Sequence, residues 1–366
     1  MTEQVPFTDV YVDDDIVDRA TEVLETRRYV KGPRVEALEA QFADTCDTDH
    51  AVGVSSGTAA LYLAMKAAGI GEGDTVLVPG HTFFATVSPV VELGAEPVFV
   101  DVDPETYTID ETDLAKKAAA HDDAAAVAPV HLYGQPAAMG PITTIADQYD
   151  LDVFEDSCQA HGATYRGDPV GGLGTAGCFS FYPSKNMTVA GDGGMLVTDD
   201  ADLASTAREL RNHGRDEDGN HVRLGLNHRM DEVSAAVGLE QLSHLADWNA
   251  DRAAAADRYH ERLADLDEVV LPTERDNATH VYHLFVVQVP EREALRTHLD
   301  EQGIDTGIHY DPPVHLTPAM GEYLAEVPSL PETERLCDRI VSLPMHPRIT
   351  DDEIDRVADE VRRFYR

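Results

Sequence analysis

Apolar and polar positions along the chain follow two periods, and the switches between them predict a succession of helices and strands. Ile16 to Tyr29 carries apolar residues at helical spacing. Ala51 to Val54 is a short apolar run that reads as a strand, and SSGT follows it and opens a helix to about Ala68. Asp74 to Val78 predicts a strand. Ala85 to Leu93 predicts a helix ended by Gly94, a residue suited to the left-handed conformation at a helix C-terminus. PVFVDVD and AAAVAPV read as further strands, Ile142 to Tyr149 as a helix and LDVFED as a strand. Such alternation predicts an α/β fold built on a mainly parallel sheet with helices on both faces.

The rhythm changes after Arg166. CFSFY and GMLVTD read as strands flanking a Gly-rich loop, and long helices are expected at about 201–212 and 231–264. Composition shifts near Pro272. HVYHLFVVQV reads as a strand and about 291–302 as a helix. PETERLCDRIVSL and TDDEIDRVADEVRRF both read as helices, the second opened by Thr350 and Glu353 at capping-box spacing. The expected organisation is a large domain over residues 1–245 and a smaller α+β domain over 246–366.

Charge narrows the function classes. The 28 Lys and Arg residues face 68 Asp and Glu, a formal charge of −40. A phosphate-backbone binder needs the opposite sign, so nucleic-acid and anionic-membrane roles are disfavoured. Lysine is confined to Lys31, Lys66, Lys116, Lys117 and Lys185, and Asp is abundant throughout. This predicts a halophilic protein, soluble where salt screens self-repulsion. Cys46, Cys158, Cys178 and Cys337 form no CxxC and no zinc-finger spacing, so reduced thiols are expected. The N-terminus lacks a basic stretch followed by an apolar run, and TAALYLAMKAAG is too short to span a bilayer. A cytoplasmic protein is expected.

Lys185 stands out against so few lysines. It follows an apolar strand and precedes Gly191, Gly193 and Gly194, where burial would lower its pKa and free the amine for Schiff-base chemistry. Taken alone, a surface salt bridge is an equally good reading. A Schiff-base cofactor needs three more parts. SSGT, from Ser55 to Thr58, joins a strand to a helix N-terminus and suits a phosphate, although a plain N-cap would look the same. Ser180 could add a hydroxyl. Asp156 ends LDVFED at the C-terminal edge of the sheet and could keep a pyridine nitrogen protonated. Strand alternation sends Glu155 to the other face. Phe83 could stack on the ring while Phe84 packs inward.

Other motifs fall away. Gly172, Gly174 and Gly177 spell GxGxxG, but a strand follows them instead of a helix, so a dinucleotide site is disfavoured. No HExxH or comparable ligand spacing indicates a metal, and no GxSxG indicates a hydrolase.

The chain resembles the DegT/DnrJ/StrS family of pyridoxal-phosphate aminotransferases through GPRVEALEAQFA, SSGTAALYLAM, VPGHTFFAT, GAEPVFVDVD, PVHLYGQP, EDSCQAHGA, FSFYPSKN, GDGGMLVT, RNHG, LGLNHRM, IHYDPPVH and PMHP. The resemblance implies a fold-type-I transferase, pyridoxal 5′-phosphate as cofactor and a homodimer with shared active sites. It implies transfer of an amino group from an amino acid, glutamate by analogy, to a nucleotide-linked keto sugar, in polysaccharide biosynthesis. By motif, Lys185 is the Schiff-base lysine and proton carrier, Asp156 the partner of the pyridine nitrogen and Phe83 the stacking residue. Gln159 takes the place beside the phenolic oxygen. Gly57, Thr58 and Ser180 hold the phosphate, and Asn227 is lent by the partner subunit. His309 and Tyr310 lie near the substrate mouth. The usual EDAAQA reads EDSCQA here, with small Ser157 and Cys158, and His81 stands where other members vary. Relatives that dehydrate sugars carry His in place of the lysine, which Lys185 argues against. Relatives acting on cyclitols or aminobenzoate precursors, and a non-enzymatic regulatory relative, are the remaining alternatives.

Overall fold

The computed structural model describes residues 4–30 and 32–366. The chain opens with helix α1 (Asp14–Thr26), capped by the Asp13 carboxylate on the Ile16 amide. Helix α2 (Pro33–Cys46) follows, with Pro33 at its start, where a missing N–H costs nothing. Strand β1 (His50–Val54) leads through Ser56 into α3 (Gly57–Ala68). Then come β2 (Thr75–Pro79), α4 (Ser88–Glu92), β3 (Glu96–Val100), α5 (Glu111–Ala120), β4 (Ala124–Val127), α6 (Met139–Tyr149) and β5 (Asp152–Asp156). A hairpin of β6 (Thr164–Tyr165) and β7 (Asp168–Pro169) precedes β8 (Ala176–Ser180), β9 (Gly194–Thr198) and α7 (Ala201–Leu210).

These strands form a seven-stranded sheet of order β1-β9-β8-β5-β4-β2-β3. Only β9 runs against its neighbours; β8, β5, β4, β2 and β3 pair in parallel. Buried apolar residues of α3 and α7 pack on one face of the sheet, and those of α5 and α6 on the other. The α/β expectation holds, and β1, β2, β5 and β8 end on the same edge. That edge is where open α/β sheets take ligands.

Helix α8 (Glu232–Leu263) is continuous through position 245, capped by Asp231 on the Ser234 amide. Its second half contributes Ala255, Ala256, Tyr259 and Leu263 to a separate core. After β10 (Ala278–Thr279), that core takes residues of β11 (Phe285–Gln288), α9 (Arg292–Glu301), β12 (Ile340–Leu343) and α12 (Asp351–Tyr365), whereas α10 (Pro318–Tyr323) packs Met320 on the core of the large sheet and α11 (Pro331–Cys337) packs Leu336 with Tyr107 and Tyr133. The expected capping box of Thr350 and Glu353 opens α12.

Three expected elements are corrected. PETERLCDRIVSL is not one helix: α11 stops at Cys337, and Ile340–Leu343 is a buried strand antiparallel to β11. Leu336, Ile340 and Leu343 fall at helical spacing, which imitates an amphipathic helix, but β-branched Ile340 and Val341 fit a two-sided buried strand. HVYHLFVVQV is a strand only over Phe285–Gln288, because Val281 and Leu284 give their amides to the carbonyls of Gly134 and Tyr133. The expected helix at 85–93 breaks into a 3-10 turn, Phe84–Thr86, and the short α4. Gly94 does take the left-handed conformation after it, at φ +81°.

Candidate active site

The sheet edge and the C-terminal core enclose a cavity of about 300 Å³. Gly57, Thr58, Phe83, Asp156, Gln159, Ser180, Lys185, His309 and Tyr310 all line it. Of the residues expected from sequence, Asn227 alone is not among them; it is exposed, on the segment before α8.

At one end of the cavity, Ser56 caps α3 by accepting from the Ala59 amide. The first amides of the helix have no intrahelical acceptor and present partial positive charge. Ser56, Thr58, Ser180 and Ser184 bring hydroxyls to the same lining. Gly57 is required there: a Cβ would lie 2.7 Å from both Cys158 Sγ and Ser180 Cβ.

Asp156, buried at the end of β5, supplies the carboxylate. Its Oδ2 accepts from the Thr86 hydroxyl at 2.7 Å and its Oδ1 from the Cys158 amide at 3.2 Å. Thr86 gives its one hydrogen to Asp156, so Thr82 donates to Thr86 across 2.7 Å. The relay fixes the carboxylate as an acceptor. Thr86 was not among the sequence candidates; its signal is the pair of threonines four apart in HTFFAT.

Glu155 points the other way, as alternation requires. It accepts from the amides of Gly171, Leu173 and Gly174 at 2.7–2.9 Å and meets His131 Nε2 at 2.9 Å. The GxGxxG loop therefore wraps an anion of the chain itself, the Glu155 carboxylate.

Burial lowers the pKa of Lys185, opposed by Cys158 and then Asp156. The free amine is thereby favoured. Phe83 is 54 % exposed and lies against Tyr310, ring centres 5.5 Å apart, whereas Phe84 packs into the core as expected. Gln159 accepts from the Tyr133 amide at 2.8 Å and donates from Nε2 to the Tyr310 oxygen at 3.1 Å. Phe7, Thr8, Tyr182, Asp192, His283 and Leu284 also line the cavity and were not singled out in the sequence.

Hydroxyl and amide donors at one end, a fixed carboxylate, an amine of lowered pKa and an aromatic face suit a phosphorylated, cationic heterocycle. These residues fit pyridoxal phosphate. Among the described residues no group of three or more His, Cys, Asp or Glu could hold a metal ion, and no helix is long and apolar enough to cross a membrane.

Comparison with known proteins points to the same cofactor. The model of the DegT/DnrJ/EryC1/StrS aminotransferase family matches residues 10–362. The chain is 43% identical to the dTDP-3-amino-3,4,6-trideoxy-alpha-D-glucose transaminase of Streptomyces venezuelae, over 99% of this chain and 97% of that one. It is 42% identical to a UDP-N-acetyl-3-dehydro-alpha-D-glucosamine 3-aminotransferase of Acidithiobacillus ferrooxidans, over 96% and 94% of the two chains. The solved structure of S. venezuelae DesV in complex with a ketimine intermediate superposes with a TM-score of 0.96 at 42% identity, covering 99% of each chain. The protein is a pyridoxal-phosphate-dependent enzyme and belongs to the DegT/DnrJ/EryC1/StrS aminotransferase family.

Proposed function

We propose that this enzyme moves an amino group from an amino acid, with glutamate as donor, to the keto group of a nucleotide-linked sugar in polysaccharide biosynthesis. The observation that carries the reading is the meeting of Lys185, Asp156 and the N-terminus of α3 in one cavity. The activities that name the two relatives, one on a dTDP-linked and one on a UDP-linked sugar, support the acceptor class.

When bound, pyridoxal phosphate supplies a ring that draws off the electron pair left as a proton departs from the amine-bearing carbon. Lys185 Nζ would be the covalent attachment point and the group that takes and returns that proton; burial lowers its pKa, which shifts the balance towards the free amine. Asp156, held by Thr86 and the Cys158 amide, keeps a positive charge on the pyridine nitrogen. Ser180, Thr58 and the first amides of α3, with Gly57 leaving the space, bind the phosphate. Phe83 would orient the ring by its face, and Gln159 would serve the phenolic oxygen. His309 and Tyr310 wall the substrate mouth.

A homodimer with shared sites belongs to the same reading. Asn227 lies on an exposed segment beside Val222, Leu226 and Leu224, the last 89 % exposed, a surface suited to a second copy. Mixing Lys185→Ala with Asn227→Ala protomers should restore about a quarter of wild-type activity, since each heterodimer then holds one intact site. No recovery on mixing contradicts shared sites. The charge of −40 supports a cytoplasm of high ionic strength as the working environment.

The function is tested by offering glutamate with dTDP- and UDP-linked keto sugars, and a keto-inositol in parallel. Amino sugar and 2-oxoglutarate should form in equal amounts from a nucleotide sugar, with ping-pong kinetics. Turnover of the keto-inositol alone, or of none of them, contradicts the proposal.

A further inference from the structure

His81 has no part in the chemistry described so far, yet it is 1 % exposed and heads a chain of buried contacts. Cys337 Sγ lies 3.2 Å from His81 Nδ1, and His81 Nε2 lies 2.7 Å from the Tyr133 hydroxyl. That hydroxyl reaches the backbone carbonyl of His309. A carbonyl only accepts, so Tyr133 spends its one hydrogen there, and His81 Nε2 must donate to the Tyr133 oxygen.

Two protonation states satisfy this order: a neutral imidazole accepting from the thiol, or an imidazolium facing a thiolate. Burial decides between them. It lowers His81 to about 4, helped by the nearby His309, and raises Cys337 to about 12. The rings of Tyr107 and Tyr133 also pack near His81 and bring no counter-charge. The neutral chain therefore runs one way: Cys337 S–H to His81, His81 Nε2–H to Tyr133, Tyr133 O–H to His309.

Tyr133 sits at φ +59°, ψ 5°, in the left-handed region that a bulky side chain rarely adopts. Such strain persists where the surroundings over-determine the residue, and it gathers at functional sites. Here both polar ends are committed: the amide to Gln159 Oε1, the hydroxyl to His309. Gln159 and the His309–Tyr310 pair both line the cavity, and Gln159 Nε2 bonds Tyr310 in turn.

We propose that His81 and Cys337 are positioning residues, which lock Tyr133 in the one orientation that sets the Gln159 amide and the His309–Tyr310 wall of the site. The kinetic consequence rests on the aminotransferase reading, whereas the hydrogen-bond order does not. The first test is therefore histidine-selective ¹⁵N NMR of the cofactor-loaded protein, with the His81 resonance identified by its loss in His81→Gln. A neutral Nε2–H tautomer between about pH 6 and 8 is expected. The Nδ1–H tautomer, or titration at the ordinary value, overturns the proposal.

The second test is kinetic and spectroscopic. His81→Phe and Tyr133→Phe each leave a buried partner unpaired, so KM for the keto substrate should rise about tenfold with little change in kcat. The pH midpoint of the cofactor's visible band should also move, because Gln159 loses its fixed orientation. His81→Gln places an amide donor where Nε2 was and should restore most of both. Failure of that rescue, or an unchanged KM and spectrum in Tyr133→Phe, overturns the proposal. The expected tautomer in a protein that turns over no keto sugar supports the hydrogen-bond order and contradicts the function instead.

Discussion

Glu155 and Asp156 are neighbours in β5 whose carboxylates serve opposite faces of the sheet. Glu155 is held by three amides of the loop before β8 and by His131, while Asp156 lies against Thr86 in the cavity. One acid belongs to the scaffold and the other to the site. The two substitutions should separate accordingly. Glu155→Gln should destabilise the fold by about 2–3 kcal/mol, since hydrogen bonds to a buried charge are lost or weakened, with activity per folded molecule largely kept. Asp156→Asn should fold nearly as well as the parent and lose about 10²-fold or more in kcat. Denaturant melts and steady-state kinetics on both proteins check this; a folded but inactive Glu155→Gln contradicts the division.

Gly57 tests the phosphate end. A methyl group at that position meets Cys158 Sγ and Ser180 Cβ at 2.7 Å. Gly57→Ala should weaken cofactor binding about tenfold or more and cost about 1–3 kcal/mol of stability through overpacking. Equilibrium dialysis against pyridoxal phosphate measures the first effect. Unchanged affinity would place the phosphate elsewhere.

The lowered pKa of Lys185 has a pH signature in the cofactor-free protein. The folded chain binds this proton more weakly than the unfolded chain, whose lysine titrates near 10.5. Below the folded value the fold carries the whole cost of a buried charge, and that cost fades as pH rises towards 10.5. Lys185→Met removes the cost. The variant should therefore exceed the wild-type apoprotein in stability most at neutral pH, with the gap closing in alkali. Urea melts at several pH values check the sign; a gap that widens with pH contradicts it.

Salt should stabilise this protein. At about 0.1 M the charges of the surface interact over about 10 Å, and at 1 M over about 3 Å, so self-repulsion from a net −40 is largely removed. Surface pairs such as Arg258 with Asp355 and Arg262 with Asp359 weaken at the same time, but each contributes under about 1 kcal/mol. The melting temperature should rise between about 0.1 and 2 M KCl. A flat or falling curve contradicts the halophilic reading.

The chemistry at the sheet edge was legible because it sits at strand ends. Lys185, Asp156 and the SSGT turn each follow an apolar run, and the two-residue period of a strand separates Asp156 from Glu155. What was hidden depends on distant partners or on competing periods. His81 and Cys337 lie 256 positions apart, and nothing local in either segment announces the contact. Strand β12 borrowed the spacing of a helix from Leu336. Helices α2 and α5 did leave signals: Gly32-Pro33 ahead of Val35, Leu38 and Phe42, and Asp110 as N-cap before Leu114 and Ala118.

Reduction of the cofactor-loaded enzyme with borohydride, followed by peptide mass mapping, tests the central claim most directly. The account predicts a pyridoxyl mass on the peptide holding Lys185 and on no other, and no such label in Lys185→Ala. A label on another lysine, or none in protein saturated with pyridoxal phosphate, contradicts it.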